Sequence, residues 1–144
     1  VVRALVCTLV VGLARKALAE SAPPSRFTLT VEGHAQDFIR YPNFRLTLSA
    51  SCEQKDHSLR CRAFEAWPTV TWKGVDHDAL RGGANPGAVL CARRLGTLVI
   101  GTTANGSEQS FCRFDDGSML GTGSITYAAS NPDEVRKWHR QVPR

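Results

Sequence analysis

Beyond Ala19 the 144-residue chain has no long apolar run. A membrane-spanning helix needs roughly 20 such residues, so no integral span is expected there. The chain has no C-x-x-C pair and no H-x-x-x-H pair, and His34, His57, His77 and His139 are scattered. That argues against a zinc site. Residues 101–106 begin and end in glycine but no lysine follows, so they are not a phosphate loop. Glycine-rich calcium repeats and longer internal repeats are also missing. In Gly121-Thr122-Gly123-Ser124 the serine is followed by Ile125, so the G-x-S-x-G elbow of a serine hydrolase is not met. Twelve glycines and seven prolines are too few for a collagenous chain, and 42% hydrophobic residues are too many for a disordered one. No cofactor and no metal are expected.

The formal charge of +5 suggests an acidic partner until its location is examined. The stretch from Val1 to Ala19 holds Arg3, Arg15 and Lys16 and no acid. Without it 15 basic residues face 13 acids, which leaves only +2. Such a balance gives nucleic-acid binding little support. The same stretch reads as an export signal. Arg3 supplies the positive end, residues 4–14 the apolar run and Ala17-Leu18-Ala19 the small-x-small cleavage site. Cleavage would precede Glu20. Leu5-Val6-Cys7 has no small residue before the cysteine, so a lipid anchor is not expected there.

Removal of the leader takes Cys7 with it and leaves Cys52, Cys61, Cys91 and Cys112. An even count in an exported chain reads as two disulfides. Three pairings are open. Cys52–Cys61 with Cys91–Cys112 is favoured, because each bridge then closes a local unit.

The elements follow from periodicity. Phe27, Leu29 and Val31 alternate with polar residues, as do Phe44, Leu46 and Leu48. Both stretches read as half-buried strands, with another at residues 36–40. Residues 60–64 and 69–73 are further strand candidates. Asn85, Pro86 and Gly96 bracket a helix with an apolar face at Ala88, Cys91, Ala92 and Leu95. Residues 97–101 and 108–114 form a hairpin around Asn105-Gly106. Residues 124–128 read as a last strand, and Asn131-Pro132-Asp133-Glu134 opens a C-terminal helix. The expected fold is α+β: a small antiparallel β unit, then a helix plus β-hairpin module, held by disulfides. The expected divisions are a leader at 1–19, a β-rich region at 20–80, the module at 81–130 and a helix at 131–144.

The module resembles a known bacterial family over residues 84–127. The matching residues are Asn85-Pro86, Ala88-Val89, Cys91, Gly96, Leu98, Asn105-Gly106, Cys112, Phe114 and Asp116-Gly117-Ser118. Their order and spacing are similar to the domain-of-unknown-function-333 family, whose members carry a hemolysin label. The resemblance implies an exported, cysteine-containing module. Members usually carry two further cysteines, which would fall here near Leu120 and Ser130. Both are missing, and Met119-Leu120-Gly121-Thr122-Gly123 stands where the family has an acidic segment.

Asp76-His77-Asp78 is the densest titratable cluster, but neighbours in an extended segment point to opposite faces, so a solvated loop is expected. Trp67 and Trp72 are candidate binding anchors, since tryptophan is enriched at binding hot spots. Arg93 and Arg94 are candidates for a basic binding face. The expected function is that of an exported, non-enzymatic binding or envelope-associated protein, with a protein or envelope component as partner. A membrane-damaging hemolysin-like factor and a small secreted hydrolase are the alternatives.

Overall fold

The computed structural model describes residues 22–142. Among them six strands close into one antiparallel barrel, in the order β1-β2-β3-β6-β5-β4. These are β1 (Ser25–Val31), β2 (His34–Tyr41), β3 (Leu46–Ser49), β4 (Thr97–Thr102), β5 (Glu108–Arg113) and β6 (Met119–Gly121). The helices are α1 (Arg62–Ala66), α2 (Pro86–Leu90), α3 (Thr122–Ser130) and α4 (Pro132–Gln141). The architecture is α+β. The expected leader lies outside the described residues.

Alternation along the strands builds two cores. Leu29, Val31, Phe38, Val99, Phe111 and Met119 pack together inside the barrel. Phe38 stacks on Phe111 with ring centroids 4.2 Å apart, and Phe27 stacks on Phe38 at 5.6 Å. A small barrel is filled by its own side chains. At Gly101 a Cβ would come within 2.8 Å of Leu29 Cδ1, so the wall has no spare room there. The neighbouring strand positions Leu46, Leu48, Cys112 and Leu120 turn outward, as period two requires. They meet Phe64, Trp67, Leu90, Ile125 and Val135 in a second, larger core.

The two stretches divided near residue 80 share this one barrel. β1 pairs with β4 through Thr30↔Thr102 and Val31↔Gly101, and β3 pairs with β6 through Leu48↔Leu120. The β1–β2 turn is Glu32-Gly33, both at positive φ (49° and 83°), which suits the twist of a two-residue hairpin. Residues 103–107 and 114–118 make two turns of one kind. In each, the first N–H donates to the fifth carbonyl, and a glycine at positive φ (Gly106, 85°; Gly117, 80°) donates to the first.

Both favoured disulfides are present. Cys52–Cys61 spans a Cα–Cα distance of 5.1 Å and Cys91–Cys112 one of 5.5 Å. The first closes a loop whose chains meet at Glu53↔Leu59. The second ties the turn after α2 to β5. Two disulfides in a small domain are consistent with an oxidising, extracytoplasmic compartment.

Three strand expectations are corrected. Residues 60–64 lead into α1, because Cys61 Sγ accepts from Phe64 N–H and two distant side chains cap the helix. Asp116 Oδ2 takes the Arg62 N–H at 2.9 Å, and Ser118 Oγ takes the Ala63 N–H at 3.0 Å. Residues 69–73 follow a 3-10 turn, Trp67–Thr69, and join no ladder. Residues 124–128 lie in α3, where Ile125, Ala128 and Ala129 share the buried face at helical spacing. The expected helix from Asn85 is present, but its second half, Cys91–Leu95, is a π turn.

Candidate functional site

β6 runs directly into α3 at Gly121-Thr122, with no intervening loop. The first-turn N–H groups of a helix have no intrahelical partner, and Gly121 offers no side chain to cap them. α2 crosses this point closely. At Gly87 a Cβ would sit 2.0 Å from the Thr122 carbonyl oxygen, so only glycine allows the contact. Asn85 secures the crossing. Its Oδ1 accepts the Ala88 N–H, and its Nδ2 donates to Ser110 Oγ (3.2 Å) and Thr122 Oγ1 (3.0 Å).

Two adjoining cavities open beside the start of α3. One, of about 330 Å³, is lined by Arg40, Gln109, Ser110, Thr122 and Ser124 among others. The other, of about 350 Å³, shares Arg40, Thr47, Gly123 and Ser124 and adds Arg45 and Tyr127. The two share four lining residues and lie side by side between α3 and strands β2, β3 and β5; they are taken together as the cleft.

The polar lining includes hydroxyl groups whose O–H has no acceptor among the described residues. Ser124 is 4% exposed, and its Oγ accepts the Thr47 N–H at 2.9 Å. That bond leaves its hydroxyl hydrogen without an acceptor among the described residues. Ser110 and Thr122 share one O–H bond of 2.6 Å, so one of their two hydroxyl hydrogens is also unspent. Arg40 lies over the Phe27 ring and reaches Gln109 Oε1 only at 3.4 Å. Arg45, itself at φ 48°, lies over the Tyr127 ring. Neither guanidinium has a carboxylate in ion-pair contact among the described residues, unlike Arg113, which holds Glu32 at 2.6 Å. Glu108 is the one acid among the residues lining the cleft.

The residues singled out in the sequence lie elsewhere. Trp67 is fully buried against Phe64 and presents no face to a partner; packing is its role. Trp72 is half-buried and donates to Ser130 Oγ at 3.3 Å. Arg93 and Arg94 are exposed on the π turn, where the Arg94 guanidinium reaches over Gly74. None of the four lines the cleft. Asp76 caps a short 3-10 turn by accepting the Asp78 N–H. The sequence nominates no cleft residue; Gly121-Thr122-Gly123-Ser124 stands out there only as a run that fails the serine-hydrolase elbow. The structure supplies the strand-to-helix junction that the sequence did not reveal there.

The residues that carry the family resemblance are scaffold. Asn85 caps α2, Cys91 and Cys112 form a bridge, and Asp116-Gly117-Ser118 is a turn that clasps α1. Burial pushes the Asp116 carboxyl up. Bonds from the Arg62 N–H and from the Ser118 hydroxyl and N–H together outweigh that and hold it below its ordinary value. A carboxyl lowered in the folded state stabilises above its unfolded pKa and loses that contribution as pH falls through the folded value. Stability should therefore decline below about pH 4. Asp116→Ala is expected to cost about 1 kcal/mol at neutral pH, as for a lost helix cap, and to flatten that decline. Urea unfolding at pH 7 and pH 3 measures both, and equal curves for the two proteins would remove the clasp.

A third cavity, of about 410 Å³, is lined by Pro23 and Pro24 together with Tyr41, Phe44 and Val142. Glu53 stands at its edge, bound by Arg26 and by His57 Nδ1 at 2.9 Å. Burial raises the Tyr41 hydroxyl pKa there. No helix of the described residues is long and apolar enough to cross a membrane, and they hold no cluster of three metal-ligating side chains.

Fold and cleft define a disulfide-bonded α+β domain with an open polar cleft beside a closed six-stranded barrel. Comparison with family models, curated proteins and solved structures gives no match.

Proposed function

We propose that the protein is an exported, non-enzymatic binding module whose ligand side is the cleft beside α3. The observation that carries this reading is the preformed cleft with its unspent donors. It is built on a barrel and helix held together by Cys91–Cys112. Ser124 Oγ accepts from the backbone of β3, which holds the side chain in place and leaves its O–H for a ligand. The two disulfides support an oxidising destination, and the leader-like stretch up to Ala19 supports export as the route to it. The resemblance over residues 84–127 points the same way. An envelope component is the partner that this location favours.

The test is a titration of the oxidised, isotope-labelled protein with a panel of saccharides, amino acids, nucleotides and phosphate esters. Amide shifts should gather at Thr47, Ser110 and residues 121–124, with the ligand spectrum unchanged in kind. Shifts confined to other surfaces would refute the cleft. The appearance of product signals would refute the non-enzymatic reading.

A further inference from the structure

From the cleft we infer a narrower property, which rests on the binding reading above: it is a site for a tetrahedral oxyanion, a phosphate or sulfate group carried by its ligand. Three independent features converge on the same space. Arg40 comes from β2 and Arg45 from the turn after it; both line the cavity that also holds Gly123 and Ser124. Each guanidinium is held in place over an aromatic ring, 5.1 Å from the Phe27 centroid and 5.3 Å from that of Tyr127. Stacked on a ring and lacking a carboxylate, Arg45 keeps its in-plane N–H groups for a ligand, and Arg40 keeps all but the one that reaches Gln109 Oε1 at 3.4 Å.

The second feature is the buried Ser124 hydroxyl. It is 4% exposed and its oxygen is already used as an acceptor. Its one O–H has no acceptor among the described residues, and an oxygen lone pair of a ligand would complete it. The Ser110–Thr122 pair likewise keeps one hydroxyl hydrogen for an acceptor. The third feature is the start of α3, whose first N–H groups and dipole favour negative charge. All three ask for oxygen lone pairs, and two cations ask for net negative charge. Donors that arrive from β2 (Arg40), from the turn after it (Arg45) and from α3 (Ser124) suit the several directions of a tetrahedral group better than the single plane of a carboxylate. Glu108 lies in the more polar pocket, and Arg45 does not. The charge therefore fits on the Arg45 side, with the rest of the ligand extending toward Ser110 and Glu108.

Inorganic phosphate is the first probe, titrated into the oxidised full chain at constant ionic strength made up with chloride. Saturable amide shifts are expected at Gly123 and Ser124. Arg40→Gln with Arg45→Gln should weaken binding by about tenfold or more, since charge-assisted bonds are the strong ones. Ser124→Ala should weaken it by a few-fold, with the fold of each variant checked by its amide spectrum. Glycerol phosphate and phosphatidylglycerol vesicles then separate a free phosphomonoester from a lipid headgroup, and binding of either sustains the site. No saturable shift with phosphate or sulfate would overturn the oxyanion site. If a neutral saccharide still moved the same amides, the cleft would stand as a binding site and only the oxyanion assignment would fall. If no compound moved them, both would fall. Phosphate binding unchanged in the double arginine variant would also overturn the assignment.

Discussion

Phe111→Ala is expected to lower the unfolding free energy by about 3–5 kcal/mol, as for other buried phenylalanines. Phe111 is 1% exposed and stacks on Phe38, which is not exposed at all. The two rings sit opposite each other inside a closed barrel, so the walls cannot collapse into the space a ring leaves. Phe27 is the internal control. It belongs to the same stack but is only half-buried. Phe27→Ala should therefore cost clearly less. Guanidinium unfolding of both variants measures the difference. Equal small losses would mean that the barrel interior is not the closed core described above.

Replacement of Cys91 and Cys112 by alanine has the next largest expected effect, a loss of about 3 kcal/mol. The bridge closes 21 residues of separation, against 9 for Cys52–Cys61. In the chain-entropy account the shorter loop is worth somewhat less, about 2.5 kcal/mol. The order of the two losses is therefore also predicted. Beyond stability, Cys91–Cys112 joins the end of α2 to β5. α2 in turn rests on the Thr122 carbonyl through Gly87. Its removal should loosen the start of α3 and raise amide exchange at residues 121–124. Removal of Cys52–Cys61 should leave exchange there unchanged. Similar exchange in both variants would separate the bridge from the cleft.

Local signals made much of this fold legible. Phe27, Leu29 and Val31 alternate as a strand must, and Asn105-Gly106 marks its turn through a positive φ that glycine favours. The disulfide pairing followed from the units each bridge closes. The misread elements are those decided by distant residues. α1 begins at Arg62 because Asp116 and Ser118, more than 50 positions away, take its first N–H groups. Residues 124–128 alternate like a strand, yet Ile125, Ala128 and Ala129 are drawn as a helical face onto the second core. Barrel closure rests on two residue pairs between β1 and β4, which no local pattern announces. The cleft was illegible for the same reason. Arg40, Ser110 and Ser124 are far apart in the chain and meet only once the barrel closes and α3 leaves β6.

The most direct test of the proposed exported, doubly bridged module is intact mass and peptide mapping of the protein recovered from an exporting host. With two bridges the mass should lie about 4 Da below that of the reduced form. The peptides should link Cys52 to Cys61 and Cys91 to Cys112, and the chain should begin at Glu20. A folded protein that keeps the stretch from Val1 to Ala19, with all four of these thiols open to alkylation, would contradict both the compartment and the framework on which the cleft is built.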